Sequence, residues 1–221
     1  MPSSSDLDAA TVALRRGERM TAAEVRALTD GVLAGTVDLD AFGHWLVALA
    51  QAGETAAEIA GVAAALRGRM LPLEAGLPAG RVVADTCGTG GDGSGSFNIS
   101  TAAAIVVAAA GQPVAKHGNR AVSSRTGSAD VLAALGVKTD AQVATAARCL
   151  RDLGLCFCLA PAHHPALAAV GPLRKSLGRP TVFNLVGPLC NPAGATVQVI
   201  GVGRPAAREP IAEAARFLEA R

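Results

Sequence analysis

The chain has 221 residues, enough to bury a full core, and a formal net charge of only +2. Its basic residues are scattered and aromatics make up 3% of the chain, which argues against a nucleic-acid surface with stacking platforms. No apolar run is long enough to span a bilayer, and no basic segment followed by an apolar one opens the chain, so neither a membrane span nor a secretory signal is expected. The five cysteines, at 87, 149, 156, 158 and 190, are an odd number that fits reduced thiols and a cytoplasmic setting.

The first seventy residues read as helices. Thr21-Ala22-Ala23-Glu24 and Thr55-Ala56-Ala57-Glu58 each fit a capping box, in which the threonine hydroxyl and the glutamate carboxylate take orphan amides at a helix start. Val25, Leu28 and Val32 follow the first box at helical spacing, and Ile59, Val62 and Leu66 follow the second. Phe42, Trp45, Leu46 and Leu49 form the stripe of another helix between them, which predicts a small bundle of three or four helices. Leu71 to Gly80, with two prolines and two glycines, reads as a linker.

Beyond it the pattern alternates. Val82 to Ala84, Pro113 to Ala115, Leu155 to Leu159 and Val197 to Val202 are strand candidates. Thr101 to Ala110, Ser128 to Leu135, Ala141 to Leu153 and a segment from about Ala206 are helix candidates, with Gly136 and Gly154 placed to end two of them. This order predicts an α/β domain with a largely parallel sheet, whose ligand belongs at the strand C-terminal ends. Cys156 and Cys158 are expected on opposite faces of their strand, as small core residues with no shared metal.

The run Asp85 to Thr101, DTCGTGGDGSGSFNIST, follows the first strand candidate and enters a helix. Its glycines permit sharp turns and close approach of backbone N–H groups to a phosphate, and Thr89, Asp92, Asn98, Ser100 and Thr101 add donors or cation ligands. It lacks the Gly-Lys-Ser/Thr of a Walker loop and does not read GxGxxG with a downstream acid, so a nucleotide is disfavoured. Lys116-His117-Gly118-Asn119-Arg120 follows the next strand candidate as either a solvated basic turn or a ligand loop, and its place beside the glycine run favours the second. Ser123 to Asp130 opens the next helix with hydroxyls, among them Ser128, itself a good cap. Three such loops together predict a ligand with more than one phosphate. In the fourth segment, Pro161 to Pro192, His163 and His164 diverge on any regular element, no set has zinc spacing, and Arg174 suits a carboxylate.

The runs GTGGDG (88–93), FNIST (97–101), KHGNR (116–120), SSRTGSAD (123–130), HPA (164–166) and FNLVGPLCNPA (183–193), in this order, resemble the motifs of the anthranilate phosphoribosyltransferases. The resemblance starts near residue 10 and includes GETAAEIAG (53–61). It implies transfer of the phosphoribosyl group of phosphoribosyl pyrophosphate to anthranilate, with release of pyrophosphate in tryptophan biosynthesis. It also implies a small helical domain, residues 1–70 joined by helices from about 165–190, which forms a homodimer, beside a larger α/β domain of 71–164 and 191–221. Gly88, Thr89, Gly91, Asp92, Asn98, Ser100, Thr101, Lys116 and Ser128 fall on the phosphoribosyl pyrophosphate side, and Gly88, His117, Asn119, His164, Arg174 and Gly187 on the anthranilate side. Mg2+ is the implied cofactor, with Ser100 as a ligand, and no covalent nucleophile is needed.

Two departures stand out. Pro180, preceded by Arg179, occupies the place where the family pattern has arginine before a threonine. Family members also continue for roughly another domain's worth of sequence, with an adjacent Asp-Glu pair that holds magnesium and that would fall beyond Arg221, the last residue here. The expectation is therefore a shortened chain with an incomplete sheet, an exposed apolar edge and little activity alone. The competing readings are a pyrimidine nucleoside phosphorylase-like enzyme, whose loop should read closer to Lys-His-Ser-Thr-Gly-Gly, and an inactive remnant that only dimerises through residues 10–70.

Overall fold

The computed structural model describes residues 3–91, 93–121 and 126–218. Among these the chain divides into two compact units, one of residues 3–69, 165–186 and 206–218 and one of 70–164 and 187–205.

The first unit is helical. It contains α1 (Ser4–Arg15), α2 (Ala22–Leu33), α3 (Leu39–Ala52) and α4 (Ala56–Arg67). Both expected capping boxes form: Thr21 and Thr55 each accept the amide of the glutamate three residues on, and Glu24 and Glu58 accept the threonine N–H in return. The second box also carries a tertiary contact. Glu58 is fully buried and its Oε2 receives Arg19 at 2.8 Å, which ties the α1–α2 connection to the start of α4. Phe42, Trp45, Leu46 and Leu49 are buried along α3, where Phe42 stacks on Trp45 with ring centroids 5.5 Å apart. Gly61 lets α2 and α4 touch, because a Cβ there would lie 2.6 Å from the Ala22 carbonyl oxygen.

The second unit is built on a sheet of four parallel strands: β1 (Ala84–Asp85), β2 (Val114–Gly118), β3 (Leu155–Leu159) and β4 (Val197–Gln198), in the order β3-β2-β1-β4. The helices α5 (Ile99–Ala109), α6 (Ser128–Ala134), α7 (Val143–Leu153) and the short α8 (Ala160–His163) lie between them in sequence. One face of the sheet packs Ala84 and Val114 against Ala104 of α5; the other packs Val83, Ala115, Cys156 and Cys158 against Ala146, Ala147 and Leu150 of α7. Gly154 ends α7 with φ 71°, as the helix-stop reading requires.

Several expectations need correction. Leu71 to Gly80 is not a free linker, since Leu73 and Ala75 are buried in the α7-side core and the amides of Leu71 and Leu73 donate to His163 and Pro192 carbonyls. The first strand starts two residues later and ends one later than predicted, and β2 runs on through Lys116, His117 and Gly118, which are strand and not loop. Residues two apart on a strand share a face, so Cys156 and Cys158 point the same way, with sulfurs 3.8 Å apart. Both are core residues. The fourth strand is cut to two residues.

The later helices of the first unit are α9 (Gly171–Leu177), α10 (Phe183–Val186) and α11 (Arg208–Phe217). The expected α/β stretch of 191–221 is therefore divided: 206–218 joins the helical unit, and Arg221 lies outside the described residues. The closing helix packs not on the sheet but on α4, with Ile211 and Ala214 buried, and Arg67 donates to the Leu218 carbonyl at 3.0 Å. The strongly one-sided apolar pattern of α11 needs a partner, and α4 supplies it. The apolar edge is present: Val197 of β4 and Val199 beyond it are exposed, as are Phe97, Ile99 and Val106 around α5.

Candidate functional site

All four strands are parallel, so the segments that leave their C-terminal ends gather at one edge of the sheet. The glycine run leaves β1 there, Asn119 follows β2, α8 follows β3, and Val199 to Gly203 follow β4. Asp92 lies outside the described residues, as do Ser123, Ser124 and Arg125. Of the expected metal ligands the structure places Ser100, in the first turn of α5.

The glycine run is anchored at its base. Thr89 donates its N–H to the Gly201 carbonyl at 2.8 Å and accepts the Gly203 N–H on its hydroxyl at 3.0 Å. Gly88 lies so close to this segment that a Cβ would sit 2.9 Å from the Gly201 oxygen. Beyond the anchor, Gly90 and Gly91 take φ values of 66° and 72°, in open space. The far end is held as well: Thr86 donates to the Ser100 carbonyl at 2.7 Å, and Asn98 donates from Nδ2 to Thr126 at 3.1 Å. The Thr101 hydroxyl, in the first turn of α5, is buried and has no hydrogen-bond partner among the described residues.

Side-chain alternation along β2 sorts the candidate residues into two groups. Lys116 falls on the α5 face with Val114, and Gly118, on that same face, receives the Ser128 hydroxyl so closely that a Cβ would collide with it. His117 falls on the opposite face. Lys116 and His117 are both buried.

On the His117 side the chemistry is specific. His117 Nδ1 lies 3.0 Å from the Gly187 carbonyl and His164 Nε2 lies 3.0 Å from the Cys190 carbonyl. A carbonyl only accepts, so each of these nitrogens carries the proton. Burial first, then the charge of His164, holds the His117 pKa down to about 3, and burial lowers that of His164 to about 4. Both rings are neutral near pH 7. The remaining nitrogens, His117 Nε2 and His164 Nδ1, therefore carry lone pairs, are buried and have no partner among the described residues, on rings with centroids 5.2 Å apart. Two lone pairs so placed ask for N–H or O–H donors. His163, by contrast, turns its Nδ1 to the Leu71 carbonyl at 3.0 Å, so the two adjacent histidines do diverge.

Beneath them lies a buried carboxylate that the motif pattern does not reveal. Asp85 Oδ1 accepts the His117 N–H at 3.2 Å and Oδ2 accepts Asn191 Nδ2 at 2.8 Å, while Asn191 also donates to the Ala115 carbonyl. Burial raises the Asp85 pKa against the opposing effects of the Asn191 hydrogen bond and the Lys116 charge. A polar residue closing an apolar strand was the available signal. Burial also pushes the Cys87 thiol up to about 12, so it is inert at neutral pH.

Arg174 belongs to the helical unit. Its guanidinium stands 5.2 Å from the Phe183 ring centroid, is half-buried, and has its pKa lowered by that burial. Among the described residues it forms no ion pair with a carboxylate, so it remains free to take one.

Residues 80–221 match the model of the a/b domain of the glycosyl transferase family, and residues 9–70 match the model of that family's helical bundle domain. The chain belongs to this family. It is 52% identical over 184 residues to the anthranilate phosphoribosyltransferase of Novosphingobium aromaticivorans, which covers 83% of this chain and 54% of the relative. The anthranilate phosphoribosyltransferase structure from Thermus thermophilus superposes with a TM-score of 0.87 at 45% identity, over 96% of this chain and 64% of that one. The Saccharomyces cerevisiae enzyme in complex with PRPP and Mg also superposes at 0.87, with 29% identity, over 97% of this chain and 63% of that one. This family member thus spans between about half and two thirds of the length of the relatives it matches. Among its described residues no helix is long and apolar enough to cross a membrane, and no three His, Cys, Asp or Glu side chains group as a metal site.

Proposed function

We propose that the chain carries the substrate-binding core of a phosphoribosyl transfer in which anthranilate is the acceptor and phosphoribosyl pyrophosphate the donor. The pair of neutral imidazoles with unpartnered lone pairs carries this reading, because a primary aromatic amine brings two N–H donors to match them. The amine nitrogen supplies the electron pair that forms the bond to ribose C1, the C1–O bond breaks with its pair going to pyrophosphate, and one amine proton passes to the departing pyrophosphate or to water. His117 and His164 orient the amine so that its own lone pair faces the ribose. Lys116, Ser128, the amides of Gly88, Gly90 and Gly91 and the Thr101 hydroxyl serve the donor's phosphates, and Arg174 serves the acceptor's carboxylate.

For Mg2+ the fit is to a diphosphate-borne ion, since the described donors offer the Ser100 hydroxyl and no carboxylate cluster. An ion that keeps most of its shell in water and phosphate oxygens needs no more than such a contact. When bound it would neutralise charge on the leaving pyrophosphate. Dimerisation through the helical unit and a cytoplasmic role in tryptophan biosynthesis belong to the same reading.

The test is anthranilate fluorescence in the presence of phosphoribosyl pyrophosphate and Mg2+. Saturable binding of both substrates is expected, and a chain that binds neither overturns the proposal. In Arg174→Ala the dissociation constant for anthranilate should rise about 10- to 100-fold, the worth of a charge-assisted contact, with that for the donor unchanged. An equal rise for both would remove Arg174 from the acceptor side.

A further inference from the structure

The C-terminal end of β2 and the first turn of α6 cross at van der Waals contact. A Cβ on Gly127 would meet the backbone of Asn119 and Arg120 at 2.6 Å, and one on Gly118 would collide with the Ser128 hydroxyl. The Asn119 carbonyl accepts the Ala129 N–H and the Ser128 hydroxyl, each at 3.2 Å. Asp130 closes the crossing: its Oδ2 accepts both the Gly127 N–H and the Ala121 N–H, each at 2.8 Å. The bond to Gly127 is ordinary capping by an acid in the first turn. The bond to Ala121 is not. It reaches nine residues back, to the backbone just beyond Asn119, and helix capping gives no reason for it. These two amides, Ala121 first, hold the Asp130 carboxyl below the usual carboxylate range; the Arg120 guanidinium, 3.7 Å from Oδ1, acts in the same direction.

The crossing joins one residue from each side of the site. The family resemblance implies an acceptor-side place for Asn119, and on the reading above Ser128 serves the donor. We propose that Asp130 is a positioning residue that holds Asn119 and Ser128 in register, so that its loss weakens both substrates together. The proposal rests on the phosphoribosyl-transfer reading for its consequence, but not for the tie itself.

The experiment compares Asp130→Ala, Asp130→Asn and the unaltered chain. Amide hydrogen exchange is followed at Ala121 and Gly127, and binding of anthranilate and of phosphoribosyl pyrophosphate with Mg2+ is titrated. In D130A exchange at both amides should accelerate, and both dissociation constants should rise by a similar factor of about ten, since the Asp130 side chain is partly exposed and its contacts are screened. D130N retains a carbonyl oxygen in the place of Oδ2 and should return both constants to within about threefold. That rescue separates positioning from a merely local effect on α6. An Ala121 amide that stays protected in D130A overturns the tie, whether or not substrates bind. Weakening of one substrate alone, or equal loss in D130N and D130A, overturns the coupling. Failure of the unaltered chain to bind either substrate would sink the functional reading and the coupling with it, while the amide measurement would still decide the tie.

Discussion

Two glycine-bearing segments meet at the sheet edge, and they use glycine for opposite ends. In the run after β1, Gly90 and Gly91 have left-handed backbone, and a Cβ on either would find nothing within 4 Å, so glycine there supplies conformation. At the crossing of β2 and α6, Gly118 and Gly127 have ordinary backbone but no room, so glycine there supplies proximity. The first segment is open, with left-handed turns. The second is a packed joint that fixes where side chains stand. On the proposed reading the two combine in one site, with an adaptable surface for phosphates and a rigid one for the acceptor.

The largest expected effect sharpens the rigid half. His117 and His164 have folded pKa values of about 3 and about 4, below the 6.5 of an unburied histidine. Between pH 6.5 and 4 the unfolded chain therefore binds more protons than the folded one, and stability rises with pH in that window. It should be full above about pH 6.5 and fall on acidification by up to about 1.4 kcal/mol per pH unit for each ring. Urea midpoints taken at several pH values check this, and a flat profile from about pH 6.5 to about 4.5 would show that the rings are not held neutral.

Next comes Gly118→Ala, which forces a methyl into Ser128 and Phe157. Overpacking of this kind costs about 1–3 kcal/mol, a drop of several degrees in thermal midpoint for a chain of this size. An unchanged midpoint would break the comparison, because the joint would then have slack. The smallest effect belongs to Gly91→Ala. Its Cβ meets nothing, so only the left-handed backbone is penalised, by about 1 kcal/mol, and stability should move little while pyrophosphate affinity falls several-fold. If Gly91→Ala destabilised the chain more than Gly118→Ala, the roles of the two segments would be reversed.

Much of this is readable from the sequence where the determinants are local. The capping boxes at Thr21 and Thr55, the stop at Gly154 and the strand Leu155–Leu159 stand as expected, because each depends on a few neighbouring residues. The boundaries of β1 and β2 depart from the apolar pattern for a physical reason. Asp85, Lys116 and His117 are polar residues in buried strand. Asp85 and His117 are tolerated because Asn191 and the His117 amide bond Asp85 and the Gly187 carbonyl bonds His117, and those partners come from elsewhere in the chain. The apparent linker at Leu71 has the same explanation: its prolines and glycines are visible locally, whereas the core that takes Leu73 and Ala75 is not.

The sequence by itself determined the helix starts at Thr21 and Thr55, the stop at Gly154, the strand-loop-helix order, and the motif set that marks the family, since capping, periodicity and turn chemistry act within a few residues. Tertiary structure decided the rest. It set which histidine nitrogens keep a proton, because carbonyls at Gly187 and Cys190 choose the tautomers. It joined α11 to α4, and through Asp130 it joined Ala121 to Gly127. Burial and long-range hydrogen bonding set protonation and register, and neither is a property of any short stretch of sequence.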